Sequence, residues 1–223
     1  MVRPFAIALA LAALPAAALA DPALDAEEIE FLRLINAYRA ENGAPCLAPS
    51  PTMNEAADYM SRAMGEQGFF SHNEPPCDED GEECTGRDPF DRIDAFGHVG
   101  WSWAAENIAA GMMKASEAFA AWRGSKGHDA NMRKEEFTSI GIARVVVPGS
   151  RFRVYWTTNF SDLVDGPWDC DGPFDEGGGG GGAGGDGGSG GGSGGGCSAG
   201  GSSVGLLGLL AVGLALARRR RRA

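Results

Sequence analysis

A run that is nearly all glycine occupies residues 176–201 and limits what this 223-residue chain can fold into. Such a run has almost no apolar surface to bury, so we expect it to be a flexible linker. Residues 1–20 contain an early Arg3, an apolar stretch and a small-residue end, the pattern of a secretory signal peptide. A membrane anchor is the alternative, but the stretch is short and Pro15 interrupts it. The foldable part is therefore residues 21–175, enough for one domain with its own core.

The charge of the chain limits its partners. The whole chain carries a formal net charge of −11, but six of its Arg residues lie at the two ends. The segment between the ends holds 13 basic and 30 acidic residues, a net charge of −17. Phosphate binding needs a basic face, so nucleic acid is excluded as a partner. Such acidity favours solubility outside the cell.

Five cysteines follow the signal peptide, and four of them lie in or beside the domain. In an oxidising compartment, four domain cysteines predict two disulfides. Cys77 and Cys84 bracket a short hydrophilic loop, which predicts that they pair and leaves Cys46 for Cys170. No Cys-x-x-Cys spacing supports zinc on these thiols. The five carboxylates between Cys77 and Cys84 lack the EF-hand spacing, so a solvated acidic loop is favoured over a calcium site. Cys197 is the odd cysteine.

Apolar periodicity predicts helices first and strands last. Helical spacing occurs at residues 25–42, 52–66, 88–96 and 114–123, and Gly65 and Gly68 indicate the end of the second helix. Strand patterns occur at 140–147 and 151–160, joined as an antiparallel hairpin, while 104–109 fits a strand or an extended loop. Residues 124–131 are predicted to be a loop. This order predicts the α+β class, as a three-layer α-β-α sandwich with a central antiparallel sheet.

Four polar side chains in the middle of the chain form the candidate site. Glu106 lies in AENIAAG, Ser125 and His128 lie in AWRGSKGH, and His72 lies upstream in FFSH. Two neutral imidazoles can hold a divalent cation such as zinc. Glu106 would then orient an imidazole or act on a bound water as a general base.

Two other interpretations of these residues stay open. The two histidines fit equally a structural role as hydrogen-bonded cleft residues. Ser125 and His128 suggest a nucleophile–base pair, but the sequence shows neither a proton path nor an oxyanion hole for it. The third histidine, His98, lies in a glycine-flanked loop and is predicted to be a surface residue.

The motifs also occur in the order of a known family. In chain order they are LRLINAYRAENGAP, GFFSH, DPFDRI, AENIAAG, AWRGSKGHDANM, FTSIGIA and YWTTNF. Residues 29–162, which contain them, resemble the bacterial branch of the CAP superfamily, whose members are also called SCP-like domains. Each motif alone is common, but together and in this order they are specific. The resemblance implies an α-β-α sandwich with a central cleft.

The family cleft carries a polar tetrad, which in many members consists of two His and two acidic residues. By motif, His72 matches the first His, Glu106 the first acidic residue and His128 the second His. The second acidic position holds Ser125 here, as in the bacterial form of the motif. The resemblance therefore implies a four-residue cleft site, with His72 and His128 as the ligands of any metal. Because Ser125 offers one negative charge fewer, we expect weaker metal binding than in full-tetrad members, or none.

The C-terminal residues 204–223 contain an apolar segment followed by five consecutive Arg residues. The apolar part is fourteen residues long, whereas a membrane span needs about 20. With Cys197 ahead of it, the arrangement resembles a MYXO-CTERM sorting signal of myxobacteria. That resemblance implies cleavage near Cys197 and anchoring at the cell surface or outer membrane, through lipid on that cysteine. The alternative is an uncleaved transmembrane helix with its Arg run in the cytoplasm.

Three functions compete for such a chain. The first is an exported, surface-anchored CAP domain that binds a lipid or another envelope component in its cleft without catalysis. The second is a metal-assisted extracellular hydrolase, with His72 and His128 as ligands and Glu106 as base. The third is a disulfide-braced adhesion module. Neither the ligand nor the oligomeric state follows from the sequence.

Overall fold

Helices on both faces of a five-stranded sheet make up the part of the chain that the computed structural model describes, which is residues 24–166, Trp168, Cys170 and residues 216–219. The helices are α1 (Ala26–Glu41), α2 (Pro51–Gln67), α3 (Pro89–Ala95), α4 (Ala115–Arg123) and α5 (Lys126–Arg133). The strands are β1 (Ala48–Pro49), β2 (Trp103–Ala110), β3 (Ser139–Val146), β4 (Val154–Ser161) and β5 (Leu216–Arg219). The predicted signal peptide and the glycine run lie outside the described residues.

The strands lie in the order β1-β3-β4-β2-β5. The hairpin of β3 and β4 is antiparallel as predicted, and β2 pairs antiparallel with β4 on its other side. The two-residue strand β1, which the sequence did not indicate, pairs parallel with β3. All eight residues of β4 are buried, because helices cover both faces of the strand. The predicted three-layer α+β architecture is confirmed, with a sheet that is antiparallel apart from its first edge strand.

Two apolar layers hold the helices on the sheet. On one face α1 and α4 pack through Phe31 and Trp122, whose rings meet edge to face with centroids 5.1 Å apart, and both contact the sheet near Trp156. On the other face α2 buries its methionines against β2 and β4. The methionine and phenylalanine side chains of α2 and its exit loop are therefore core residues.

Helix α2 continues past Gly65, one of the two glycines that were predicted to end it. Gly68 is its left-handed C-cap, with φ of 74°, but Gly65 lies inside the helix, so its predicted role was wrong. A Cβ on Gly65 would lie 2.5 Å from Cγ2 of Val147 and 2.9 Å from Cε2 of Tyr155. Glycine at this position lets the helix approach the sheet and does not end it.

The predicted loop at 124–131 is also wrong, because α5 begins at Lys126 after its N-cap Ser125. The segment KGHDANMR contains a glycine and hardly any apolar residue, so it shows no apolar period. Its buried residues are His128, Asn131 and Met132. This three- and four-residue spacing is helical, but two of the three positions carry polar side chains.

The side chain of Arg39 in α1 holds the connection between α5 and β3 in place through hydrogen bonds. Its guanidinium is fully buried and donates to the main-chain carbonyls of Pro45 (2.7 Å), Met132 (2.8 Å), Lys134 (3.0 Å) and Phe137 (2.7 Å). Burial lowers the pKa of Arg39 to about 10, so the group is still charged at neutral pH. This arrangement ties the far end of α5 to the first helix.

Both predicted disulfides are present, Cys77–Cys84 and Cys46–Cys170. The first closes the acidic loop, and the second joins the segment after α1 to the chain beyond β4. Of the C-terminal tail, the structure describes β5, which pairs antiparallel with β2. Among the described residues, no helix combines the length and apolarity that crossing a bilayer requires. The apolar residues 204–215 lie outside the described residues.

Candidate functional site

Glu106 is the centre of the polar cluster and lies in the middle of β2. Its side chain is 0% exposed, and both carboxylate oxygens have partners. Oε1 lies 2.8 Å from Nδ1 of His72, and Oε2 accepts a hydrogen bond of 2.6 Å from Nη2 of Arg92. Strand β2 therefore positions one carboxylate between an imidazole and a guanidinium.

The electrostatic balance keeps Glu106 ionised. Burial acts to raise its pKa, but the charge of Arg92 and the hydrogen bond from His72 outweigh burial and hold the pKa below the ordinary value. The ionised carboxylate can only accept a hydrogen bond, so Nδ1 of His72 carries the proton and donates to it, and Nε2 is the other nitrogen of the same ring. Nε2 is buried and has no hydrogen-bond partner among the described residues.

Arg92 is the site residue that sequence reasoning missed. It lies in α3, is 0% exposed, and also donates to the His72 carbonyl at 3.3 and 3.4 Å and to Glu74 at 3.4 Å. The motif DPFDRI was interpreted through its helical spacing alone, and no role was predicted for Arg92. The available signal was Glu106 itself, because a carboxylate in a strand as apolar as AENIAAG needs a cationic partner.

His128 enters the site from α5, and its side chain is 0% exposed. Its ring centroid lies 6.1 Å from that of Trp122, and in the part of the chain that the structure describes neither ring nitrogen has a hydrogen-bond partner. Its carbonyl accepts a hydrogen bond of 3.2 Å from Nδ2 of Asn107, whose Oδ1 accepts one of 2.9 Å from Asn131. Hydrogen bonds of the Asn107 and Asn131 side chains thus hold the backbone of α5 against β2, and the imidazole of His128 takes no part in them.

Burial, aided by the charge of nearby His72, lowers the pKa of His128 to about 4. The folded state therefore favours the neutral ring, and its contribution to stability is complete above pH 6.5 and lost as the pH falls towards 4. The difference corresponds to on the order of 3 kcal/mol. We expect the His128 ring protons to titrate near pH 4 by NMR. In His128→Gln, the loss of unfolding free energy between pH 6.5 and 4 should be smaller than in wild type; an equal loss would contradict the assignment.

Ser125 is half-buried at the N-cap of α5, and its side chain makes no capping hydrogen bond. Since both nitrogens of His128 lack hydrogen-bond partners, Ser125 is not hydrogen-bonded to that ring. The Ser–His pair considered from the sequence therefore has no geometric support. The structure brings together His72, Glu106 and Arg92, with His128 buried nearby. Ser125 is half-buried at the start of α5 and is not hydrogen-bonded to His128.

The side chains present do not fit a metal centre with three or more protein ligands. His72 and His128 offer free imidazole nitrogens, and Glu106 orients His72 as outer carboxylates do at zinc sites. However, the oxygens of Glu106 are already engaged by His72 and Arg92. Across the described residues, no group of three His, Cys, Asp or Glu side chains is arranged to hold an ion. Zinc sites normally take at least three protein ligands.

His98 is buried, which corrects the prediction of a surface residue. It is 1% exposed, and Nδ1 lies 3.1 Å from Oγ1 of Thr52 and 3.4 Å from Oδ2 of Asp165. Asp165 also accepts a hydrogen bond of 2.9 Å from Ser50, the N-cap of α2. Burial lowers the pKa of His98 despite the nearby carboxylate of Asp165. This second polar cluster fastens the segment after β4 to the start of α2, apart from His72 and His128.

The α-β-α sandwich, with His72 and Glu106 in contact and His128 buried in the same domain, agrees with the SCP-like class that the motifs resemble. The chain belongs to the CAP family, the cysteine-rich secretory protein family, whose family model matches residues 32–160. No curated protein sequence matches the chain significantly.

Two solved structures give the fold a context. An extracellular protein containing an SCP domain, from Bacillus anthracis str. Ames, is 28% identical with a TM-score of 0.50, and the match covers 61% of this chain and 40% of that chain. An outer surface protein from Borrelia burgdorferi has a TM-score of 0.50 at 18% identity, over 62% of this chain and 95% of that chain. The present chain thus matches well under half of the length of the first protein.

Proposed function

We propose that this protein is an exported CAP domain that binds a lipid or another component of the cell envelope at the His72–Glu106–His128 cluster, without catalysing a reaction. The observation that carries the proposal is the difference in hydrogen bonding between the carboxylate oxygens and the imidazole nitrogens of the cluster. Glu106 is engaged by His72 and Arg92, whereas three imidazole nitrogens, Nε2 of His72 and both nitrogens of His128, are buried and find no partner within the described ranges.

This difference in hydrogen bonding favours ligand binding by the histidines over hydrolysis by Glu106. A general base needs a free atom for the proton that it abstracts, but both carboxylate oxygens of Glu106 are engaged, one by His72 and one by Arg92. Unpartnered buried nitrogens are costly unless a ligand satisfies them. Neutral imidazoles can donate or accept hydrogen bonds, which suits the phosphate or hydroxyl groups of an envelope lipid. The apolar neighbour Trp122 supports a ligand with apolar parts.

Export and surface anchoring belong to the same proposal. Two disulfides in the domain fit an oxidising compartment. The similar protein from Bacillus anthracis is extracellular, and the one from Borrelia burgdorferi is an outer surface protein. Anchoring through the C-terminal tail rests on its resemblance to a sorting signal. The intact mass of membrane-extracted protein tests the processing, because a chain that retains Arg222 would contradict cleavage near Cys197.

The test of ligand binding compares wild type with the double variant His72→Leu, His128→Leu, which has no polar atom at either ring. The probe is a vesicle of phosphatidylethanolamine and phosphatidylglycerol, and co-sedimentation measures binding. Loss of two hydrogen bonds should weaken binding by roughly tenfold or more. His98→Leu is the matched control, since His98 is also buried but lies in the other polar cluster.

Equal binding by wild type and the double variant would contradict the role of the cluster, and no binding by wild type would contradict a phospholipid ligand. A parallel assay follows hydrolysis of fluorescent casein, with and without added zinc. Turnover by wild type that is lost in Glu106→Gln would overturn the proposal in favour of the hydrolase.

A further inference from the structure

We infer that the outer edge of β2, with Asp88, Phe90 and Trp103 beside it, is a docking site for the chain's own arginine-rich terminus. The occupant is the segment Leu216–Arg219, which forms β5, so the inference concerns the full-length chain before any cleavage near Cys197. Docking and membrane insertion of this terminus are then mutually exclusive states, because β5 spans the boundary between the apolar run and the Arg run. The inference is independent of the ligand proposed for the histidine cluster.

Main-chain pairing provides the first part of the site. β5 lies antiparallel to β2, with Trp103 opposite Arg219 and Glu106 opposite Leu216. β2 pairs with β4 on its other side, so without β5 its outer edge would expose unpaired N–H and C=O groups. An extended segment that adds to such an edge gains main-chain hydrogen bonds whatever its side chains. The pairing runs along the half of β2 that ends at Glu106.

Side chains next to this edge account for the preference for arginine. Nη1 of Arg218 lies 3.7 Å from Oδ2 of Asp88, and its guanidinium lies 5.9 Å from the ring centroid of Phe90. The guanidinium of Arg219 lies 5.5 Å from the ring centroid of Trp103. Arginine stacks on aromatic rings and pairs with carboxylates, so consecutive arginines find two kinds of partner here. The Asp88–Arg218 pair is partly exposed and contributes little alone.

The glycine-rich sequence lets the C-terminal segment reach the edge of β2. Residues 176–201 are predicted from their composition to be a flexible tether between the domain and the terminus. A tethered segment meets its site at an effective concentration on the order of millimolar, so even weak pairing is populated within one molecule. The net charge of −17 on the exported part adds a general attraction for the arginines, and the test must separate this attraction from docking.

Hydrogen exchange of the full-length chain tests the site. In Arg218→Glu, Arg219→Glu, we expect the β2 amides that face β5 to exchange faster by roughly tenfold or more, because the strand detaches. The matched control is Arg221→Glu, Arg222→Glu, which makes the same charge change beyond β5 and should leave the exchange unchanged. Equal acceleration in both variants would mean general electrostatic attraction and would overturn the inference.

A second pair of variants tests the site from the domain side. Asp88→Asn removes the partner of Arg218 but keeps a good N-cap for α3, whose first amides bond to Oδ1 of Asp88. It should increase exchange at the β2 edge by roughly two- to fivefold, the range of an exposed ion pair. Asp91→Asn, the control, removes the same charge one turn along α3. Wild-type amides at this edge that exchange as fast as those of an unpaired strand would refute docking outright.

Discussion

Arg92→Leu is expected to lower the free energy of unfolding by about 3–5 kcal/mol, the cost of removing one partner from a buried ion pair. Arg92 lies 2.6 Å from Glu106, and both side chains are 0% exposed. The substitution leaves a buried carboxylate with His72 alone, and it also removes the donors to the His72 carbonyl. Urea denaturation monitored by tryptophan fluorescence measures the loss.

Two further variants make this prediction specific. Arg92→Leu combined with Glu106→Gln should recover part of the stability, because a neutral amide costs less to bury than an unpaired charge. Arg62→Leu, which breaks the exposed pair with Asp58, should cost no more than about 0.5 kcal/mol. A loss below about 1 kcal/mol for Arg92→Leu would show that Glu106 does not need its charge partner.

Arg39→Leu should be comparably destabilising, by about 3 kcal/mol or more, because four main-chain carbonyls, two of them in buried contacts, lose their donor at once. These carbonyls include those of Met132 and Phe137, on either side of the turn between α5 and β3. Loss of this anchor should also loosen α5, which positions His128. Chemical denaturation measures the first effect, and hydrogen exchange of the α5 amides measures the second.

Arg39→Lys separates charge from geometry. Lysine keeps the positive charge, but its single ammonium group cannot reach all four carbonyls as the planar guanidinium does. We expect an intermediate loss of stability. Wild-type stability in Arg39→Lys would mean that charge alone is sufficient and that the multiple hydrogen bonds contribute nothing measurable.

Elements with an apolar period were predictable from the sequence. The helices α1 to α4, the β3–β4 hairpin and the three-layer class follow from spacing, and the two disulfides follow from the loop between Cys77 and Cys84. Glu106 and His72 do lie together, because the strand that carries Glu106 runs past the loop after α2. These features depend on local pattern, which the sequence contains.

The features that the sequence missed depend on buried polar groups. Helix α5 buries His128 and Asn131 in place of apolar residues, so it was predicted to be a loop. No role was predicted for Arg92, since charged residues are usually exposed, and His98 was predicted to lie on the surface because of its neighbouring glycines. Their partners, Glu106 and Asp165, lie 14 and 67 residues further along the chain. No local pattern reveals such pairs.

The Cys46–Cys170 bond determines how the domain would carry a mechanical load. A pull on the chain beyond Cys170 passes through the disulfide to Cys46, between α1 and β1, and bypasses the segment that leads back to β4. The force then does not act on the C-terminal end of β4. Without the disulfide it would pull on Ser161 and break the hydrogen bonds of β4 one after another. A domain tethered in moving fluid would thus withstand drag through a covalent bond, and reduction of that bond would transfer the force to the central sheet.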